Sequence, residues 1–147
     1  MEGDRKPVPF LTTEFAERIG RFSPDGRWIA YQSNESGMEE IYVRPFSPGA
    51  AGGSGGKWMV SKGGGTLAQW RPDGKELYYS TLSDLTAVEV TAGTAIQPGV
   101  PKKLFTLPVA FWFDVSPDGN RFLIPAQNTI EAQSPIMVVL NWQSGLK

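Results

Sequence analysis

The aspartates of three Pro-Asp-Gly tripeptides, separated by 48 and 45 residues, are the first candidates for chemistry in this chain. Three carboxylates at equivalent positions could act as acids and bases, or bind a cation. Pro-Asp-Gly is also the composition of a tight turn, because proline presets φ, aspartate bonds to the amides beyond it and glycine adopts a positive φ. We therefore interpret these residues as structural. They are Asp25, Gly26, Asp73, Gly74, Asp118 and Gly119.

A second polar set precedes these turns. Arg21, Gln69 and Asp114 each stand four residues before a turn aspartate, so they share one register. If the segments are the inner strands of a closed ring, these side chains form a polar ring that could bind a ligand, with Arg18 and Glu17 at its mouth. The alternative is a network of hydrogen bonds and ion pairs between repeats, since buried polar groups need partners. For that reason we favour the network.

Composition excludes several classes of site. The 147 residues include no cysteine and no histidine, which removes thiolate chemistry, the commonest general base and the commonest metal ligand. Lysine and arginine number 14 against 15 acidic residues, a net charge of −1, which argues against nucleic acid or an anionic membrane as partner. We therefore expect no catalytic residue, no metal and no cofactor.

The segments that position these residues are a repeat. FSPDGRWIAY begins at Phe22, WRPDGKELYY at Trp70 and VSPDGNRFLI at Val115. A period of this size in strand-like sequence is typical of a four-stranded propeller blade. Each repeat predicts a series of consecutive strands. First strands are predicted at 18–22, 66–70 and 111–115, second strands at 28–32, 76–80 and 121–125, third strands at 40–46, 86–90 and 135–142, and fourth strands from Lys57 and Lys103.

The third repeat lacks a fourth strand, whereas residues 6–11 resemble one without a blade of its own. The chain is predicted to be all-β, a single propeller segment with three blades' worth of strands. Its parts are an outer strand of a shared blade at 6–11, blade one at 17–61, blade two at 66–107 and three strands of blade three at 111–142. Pro7 and Pro9 suit an outermost strand, because proline cannot donate to a ladder.

The unequal ends lead to a prediction about assembly. Propellers usually close with four to eight blades, so three blades alone leave apolar faces in water. Two copies would close a six-bladed ring by exchanging residues 6–11, and a two-fold dimer is the commonest symmetric solution. A trimer of nine blades and a fragment of a longer propeller remain alternatives.

The stretches FSPDGRWIAYQSNESGMEEIYVRPF, GKWMVSKGGGTLAQWRPDGKELYY and VSPDGNRFLI resemble the TolB-type β-propeller repeat. More narrowly, GDRKPVPFL, IYVRPF and the final VVLNW..GLK resemble the propeller region at the carboxyl end of bacterial serine/threonine kinases. The resemblance extends from Gly3 to Lys147. The kinase motifs themselves, a glycine-rich nucleotide loop, an HRD loop and a DFG, are absent from this sequence.

The resemblance implies a non-enzymatic binding or sensing module that recognises a protein, a peptide or a saccharide. A hydrolase or lyase that uses channel carboxylates is the second hypothesis, and a purely structural self-assembly unit is the third. The amino terminus has no apolar stretch of signal-peptide length, so the chain as written is expected to be soluble. Its compartment stays open, because kinase-linked propellers are often held outside the cytoplasm.

Overall fold

The computed structural model describes residues 7–47, 55–108, 112–125 and 136–140. These residues form antiparallel strands and contain no helix, so the prediction of an all-β chain is confirmed. The strands are β1 (Glu17–Phe22), β2 (Trp28–Ser33), β3 (Glu40–Pro45), β4 (Trp58–Met59), β5 (Thr66–Trp70), β6 (Glu76–Ser80), β7 (Asp84–Ala92), β8 (Ile96–Pro98), β9 (Lys102–Thr106), β10 (Asp114–Val115), β11 (Arg121–Pro125) and β12 (Ile136–Leu140).

Three sheets follow one another along the chain. The first has the order β1-β2-β3-β4, the second β5-β6-β7 with both β8 and β9 on β7, and the third β10-β11-β12. Within each sheet the first three strands pair antiparallel with their neighbours in sequence. The repeat therefore corresponds to one sheet for each Pro-Asp-Gly turn.

Strand β7 is longer than the sequence suggested, because it pairs with two different strands. Its amino-terminal half pairs with β9, with Asp84 opposite Thr106. Its carboxyl-terminal half pairs with β8, with Ala92 opposite Ile96. The sequence predicted only residues 86–90 for this strand and did not predict β8. Ile96 is buried in the cluster between the first two sheets, so tertiary burial stabilises this extra hairpin.

The Pro-Asp-Gly turns share one geometry. The aspartate Oδ1 accepts a hydrogen bond from the backbone N–H two residues later, at 3.1 Å for Asp25, 3.0 Å for Asp73 and 3.0 Å for Asp118. The glycine that follows each aspartate has a φ of 70°, 73° or 71°. This is the left-handed region, which glycine adopts without a steric penalty. Each turn is thus closed locally, by the aspartate and the two residues that follow it.

Serine before the proline adds a second closure in the first turn. Ser23 Oγ donates to Asp25 Oδ1 at 2.6 Å and accepts from the Trp28 N–H at 3.0 Å. Ser116 makes the same bonds with Asp118 and the Arg121 N–H in the third turn. The hydroxyl therefore links the carboxylate to the start of the next strand.

The first turn gives a pH-dependence prediction. The Ser23 hydroxyl, followed by Arg27, lowers the pKa of Asp25 from 3.8 to about 2. Because the folded pKa lies below the unfolded one, the carboxylate stabilises the fold above about pH 4 and loses this effect as the pH falls towards 2. The melting temperature of wild type should therefore exceed that of Asp25→Asn near neutrality, and the difference should shrink on acidification. Leu82→Ala, which removes no titratable group, serves as control; a difference independent of pH would contradict the prediction.

The core lies between the sheets. One buried cluster joins the first two sheets, and a second joins the second and third. We call the face of a sheet that contacts the next sheet in sequence its leading face, and the opposite face its trailing face. Leading faces carry the buried cross-strand pairs Ala30–Val43 and Tyr78–Ala87. Trailing faces carry Leu77 and Tyr79 in the second sheet and Phe122 and Ile124 in the third.

Residues 7–11 form no strand in the described chain. Instead, Phe10 and Leu11 pack on the trailing face of the first sheet, against Ile29, Tyr31 and Tyr42. Lys6 lies outside the described residues. The pairing of residues 6–11 with a second copy is therefore still a prediction.

Candidate functional site

The candidate site residues from the sequence lie on three adjacent strands. β1 is an edge of the first sheet, β5 of the second and β10 of the third. β1 lies beside β5, and β5 lies beside β10, so these edges form one surface. We call β1, β5 and β10 the inner strands. Arg21, Gln69 and Asp114 are brought to this surface as neighbours in the order of the chain.

The three polar side chains face water to different extents. Arg21 and Asp114 are exposed, and Gln69 is half-buried. Asp114 Oδ1 accepts a hydrogen bond from the N–H of Val115 at 2.9 Å, a contact within its own strand. In the part of the chain that the structure describes, no hydrogen bond or ion pair joins the three side chains to one another. Their donor and acceptor groups are accessible to a ligand.

Arg18 and Glu17 lie at the other end of β1 from the turn. Their backbones pair with Gln32 and Ser33 of β2. The Glu17 carboxylate accepts a hydrogen bond from the Thr13 hydroxyl, and Arg18 is exposed. These two residues therefore extend the polar surface without joining Arg21.

A β-bulge interrupts the inner strands at equivalent positions. The pairing shifts between Arg18 and Arg21 in β1 and between Thr66 and Gln69 in β5. Ile19 and Leu67 within these bulges have φ angles of 53° and 55°, in the left-handed region that branched side chains rarely adopt. Such strain persists only where the surrounding structure enforces it, and it concentrates at functional sites. The bulges change the direction of side chains along the inner strands.

Trp112 is the residue that the sequence interpretation missed. It stands 45 residues after Leu67, and Leu67 stands 48 after Ile19, so the three share one register. Trp112 is 65% exposed, an unusual state for an indole, and Ile19 is also exposed. Counting the register from the turn aspartates would have found it. An apolar row therefore accompanies the polar set.

The turn aspartates do not add reactive groups to this surface. Hydrogen bonds from Ser23 hold the pKa of Asp25 at about 2, and hydrogen bonds from Ser116 lower the pKa of Asp118. Arg27 and Arg121 pair with these carboxylates at 2.7 and 3.3 Å. Both carboxylates are therefore ionised at neutral pH and already hydrogen-bonded within their own turns. Across residues 7–47, 55–108, 112–125 and 136–140, no three acidic, histidine or cysteine side chains are grouped to hold a metal ion.

The chain is similar in fold to solved structures at low sequence identity. TolB from Acinetobacter baumannii superposes with a TM-score of 0.60 at 16% identity, over 86% of this chain and 30% of that chain. A protein from Bacteroides uniformis assigned as a 6-phosphogluconolactonase gives 0.56 at 16% identity, over 88% and 42%. The fold is propeller-like. Compared with family models and with curated proteins, the chain has no match.

The chain spans less than half the length of either neighbour. At 16% identity these likenesses show the fold alone. They support the propeller part of the sequence resemblance and give no support to its kinase-linked part. The residues described contain no helix that could span a bilayer.

Proposed function

We propose that this chain is a non-enzymatic binding module, and that its inner strands bind a segment of protein, a peptide or a saccharide. The observation that supports this proposal is the exposure of Trp112 beside a surface that carries both charges, with Arg21 and Asp114 on different strands. Tryptophan and arginine are the residues that most often dominate binding energy at interfaces. Exposed apolar groups rimmed by polar ones are typical of interaction sites.

The chemistry of the surface fits a ligand with an apolar ring or side chain and several hydrogen-bonding groups. The indole of Trp112 offers a flat face for a sugar ring or an aliphatic side chain. The Arg21 guanidinium donates to carbonyls or carboxylates, whereas Asp114 accepts from amides or hydroxyls. Gln69, between them in chain order, can do both. A peptide backbone and a saccharide both present such groups.

Self-association is part of the proposal. The chain closes its ring with a second copy, in which residues 6–11 of one copy supply the fourth strand of the third blade of the other. What supports it is the lack of a fourth strand in the third sheet among the described residues, together with the unpaired segment at residues 7–11. A ring closed in this way would repeat the inner-strand surface by two-fold symmetry.

A hydrolase is the second candidate, because one neighbour in fold is assigned as a lactonase. Acid–base chemistry would need carboxylates on the inner strands, where the described ones are Glu17 and Asp114. Turnover of a glycoside and lactone panel that is abolished by Asp114→Asn, with binding retained, would support the enzyme. Loss of binding without any turnover in wild type would support the module.

The binding proposal is tested by removing the indole. A panel of peptides and oligosaccharides is screened by thermal shift, and the best ligand is titrated by intrinsic fluorescence against wild type and Trp112→Ala. We expect the dissociation constant to rise about tenfold or more, as for a central aromatic contact. Leu82→Ala, which truncates a fully exposed apolar side chain in the turn between β6 and β7, should leave affinity unchanged. Equal affinity for wild type and Trp112→Ala would refute the site.

A further inference from the structure

Among the described residues, an apolar patch on the leading face of the third sheet is left uncovered, beside the charged Asp114 and Arg121. Leu123, Val138 and Leu140 lie on it, because Leu123 pairs with Val138 and Arg121 pairs with Leu140. The three apolar side chains are between 43% and 60% exposed. Leu123 and Val138 line a groove of about 260 Å³ together with Val115, Pro117 and the charged Asp114 and Arg121. Leaving three large aliphatic side chains in water on one strand pair costs free energy, which is recovered when another element covers them.

The register shows what kind of element this face fits. Leu123–Val138 is the cross-strand pair equivalent to Ala30–Val43 in the first sheet and Tyr78–Ala87 in the second. Both of those pairs are buried by the trailing face of the sheet that follows. The third sheet therefore presents the same docking face as its predecessors, without a following sheet among the described residues.

The first sheet shows the matching half of such an interface. Phe22 stands in the register of Trp70, which is only 8% exposed and donates its indole N–H to the Arg21 carbonyl of the preceding sheet. Phe22 is 57% exposed. The difference arises because Trp70 packs on a preceding sheet, whereas the described residues form no sheet in front of Phe22.

The turn glycines show the same asymmetry. A Cβ on Gly119 would lie 2.9 Å from Nε of Arg71, and one on Gly74 would lie 3.8 Å from Cδ of Pro24, so each of these turns faces the turn of the preceding sheet. A Cβ on Gly26 would meet no described atom within 4 Å. Among the described turns, the first is therefore the one that faces no preceding turn.

Residues 7–11 complete this comparison. Val60 and Leu107 follow the fourth strands β4 and β9, and both are buried between sheets. Phe10 and Leu11 occupy the corresponding place on the trailing face of the first sheet. By this comparison Pro7–Pro9, which precede Phe10, correspond to the end of a fourth strand, as β4 precedes Val60 and β9 precedes Leu107. Among the described residues, the outer edge of β12 has no partner.

We propose that the leading face of the third sheet docks on the trailing face of the first sheet of a second copy, with Pro7–Leu11 of that copy along the edge of β12. We call this contact between copies the seam. Two identical seams, related by a two-fold axis, complete the assembly. Each seam repeats the contact that the chain already makes twice within itself. The inference rests on the proposed self-association and adds to it the two surfaces and their pairing.

The test uses one charged substitution on each surface of the seam. Leu123→Asp damages the leading face and Phe22→Asp damages the trailing face. By light scattering after size exclusion, wild type should have twice the 16.1 kDa chain mass, and each variant alone should have the monomer mass. An equimolar mixture of the two variants should regain the dimer mass in part, because one of its two seams pairs undamaged surfaces.

Leu82→Asp, which adds the same charge at a fully exposed loop residue, should remain dimeric. Far-ultraviolet circular dichroism checks that each variant keeps its strands. A variant that unfolds is replaced by Val138→Asp on the leading face or by Val8→Asp, an exposed position in the segment that docks along β12. A monomeric wild type overturns both the seam and the proposed self-association. A dimer that survives both substitutions overturns the seam alone, as does a mixture that stays monomeric.

Discussion

Phe122→Ala is expected to lower the free energy of unfolding by about 4 kcal/mol, within the range of about 3–5 for a buried phenylalanine. Phe122 is fully buried where the second sheet meets the third. Its ring lies edge-on to Tyr78 at 4.9 Å, and the rings of Phe105 and Phe113 are at 5.8 and 6.3 Å. Alanine would remove the side chain that all three rings contact. The cavity cost then adds to the lost transfer free energy.

Urea unfolding followed by circular dichroism measures this effect. Phe15→Ala deletes the same side chain from an exposed position and should cost less than about 1 kcal/mol. Phe122→Leu, which keeps most of the volume, should cost less than Phe122→Ala. A loss below about 2 kcal/mol for Phe122→Ala would contradict the central place of this ring in the interface.

Glu40→Ala is expected to lower the free energy of unfolding by about 3 kcal/mol, because it leaves the buried Ser61 hydroxyl and two partly buried N–H groups without their acceptor. The Glu40 side chain is buried at the start of β3. Its Oε1 accepts from the N–H groups of Gly63 and Gly64 at 2.8 and 3.0 Å, and its Oε2 accepts from the Ser61 hydroxyl. Ser61 Oγ in turn accepts from the Ile41 N–H at 2.7 Å. One carboxylate thus holds the connection between the first two sheets.

Asp84 provides the matched control, since it holds the equivalent position at the start of β7. Its carboxylate bonds to the Thr106 hydroxyl at 3.1 Å and to Lys103 at 2.8 Å, at the surface. Asp84→Ala should therefore cost much less than Glu40→Ala, because solvent screens a surface ion pair. Glu40→Gln should fall between the two, because an amide oxygen can still accept from the glycines but its nitrogen cannot accept from Ser61. Equal losses for Glu40→Ala and Asp84→Ala would show that burial of the carboxylate does not decide the effect.

The sequence predicted those parts of the fold that local chemistry determines. The Pro-Asp-Gly turns close through bonds between neighbouring residues, so their composition is sufficient to identify them. The second strands β2, β6 and β11 begin three residues after the turn aspartates, and their β-branched and aromatic residues marked them correctly. β10 is shorter than predicted, at Asp114–Val115.

Features that depend on contacts between sheets were not predicted. β8 forms because Ile96 reaches a distant cluster, which the polar sequence around it does not indicate. The left-handed conformations of Ile19 and Leu67 run against local preference and require the surrounding sheet to enforce them. The polar site set was identified by register, and Trp112 could have been, but the exposure of these side chains depends on how the sheets are stacked.

The stacking of sheets in sequence order has a consequence for how such a chain can lengthen. The described sheets contact each other as neighbours in sequence, first with second and second with third, and the pairs within each sheet join strands close in sequence. Stability is then a sum of unit terms and nearest-neighbour terms. Duplicating one unit of the gene inserts one sheet and one interface of a kind the chain already makes. Evolution can therefore extend or shorten this architecture by whole units without redesigning its core.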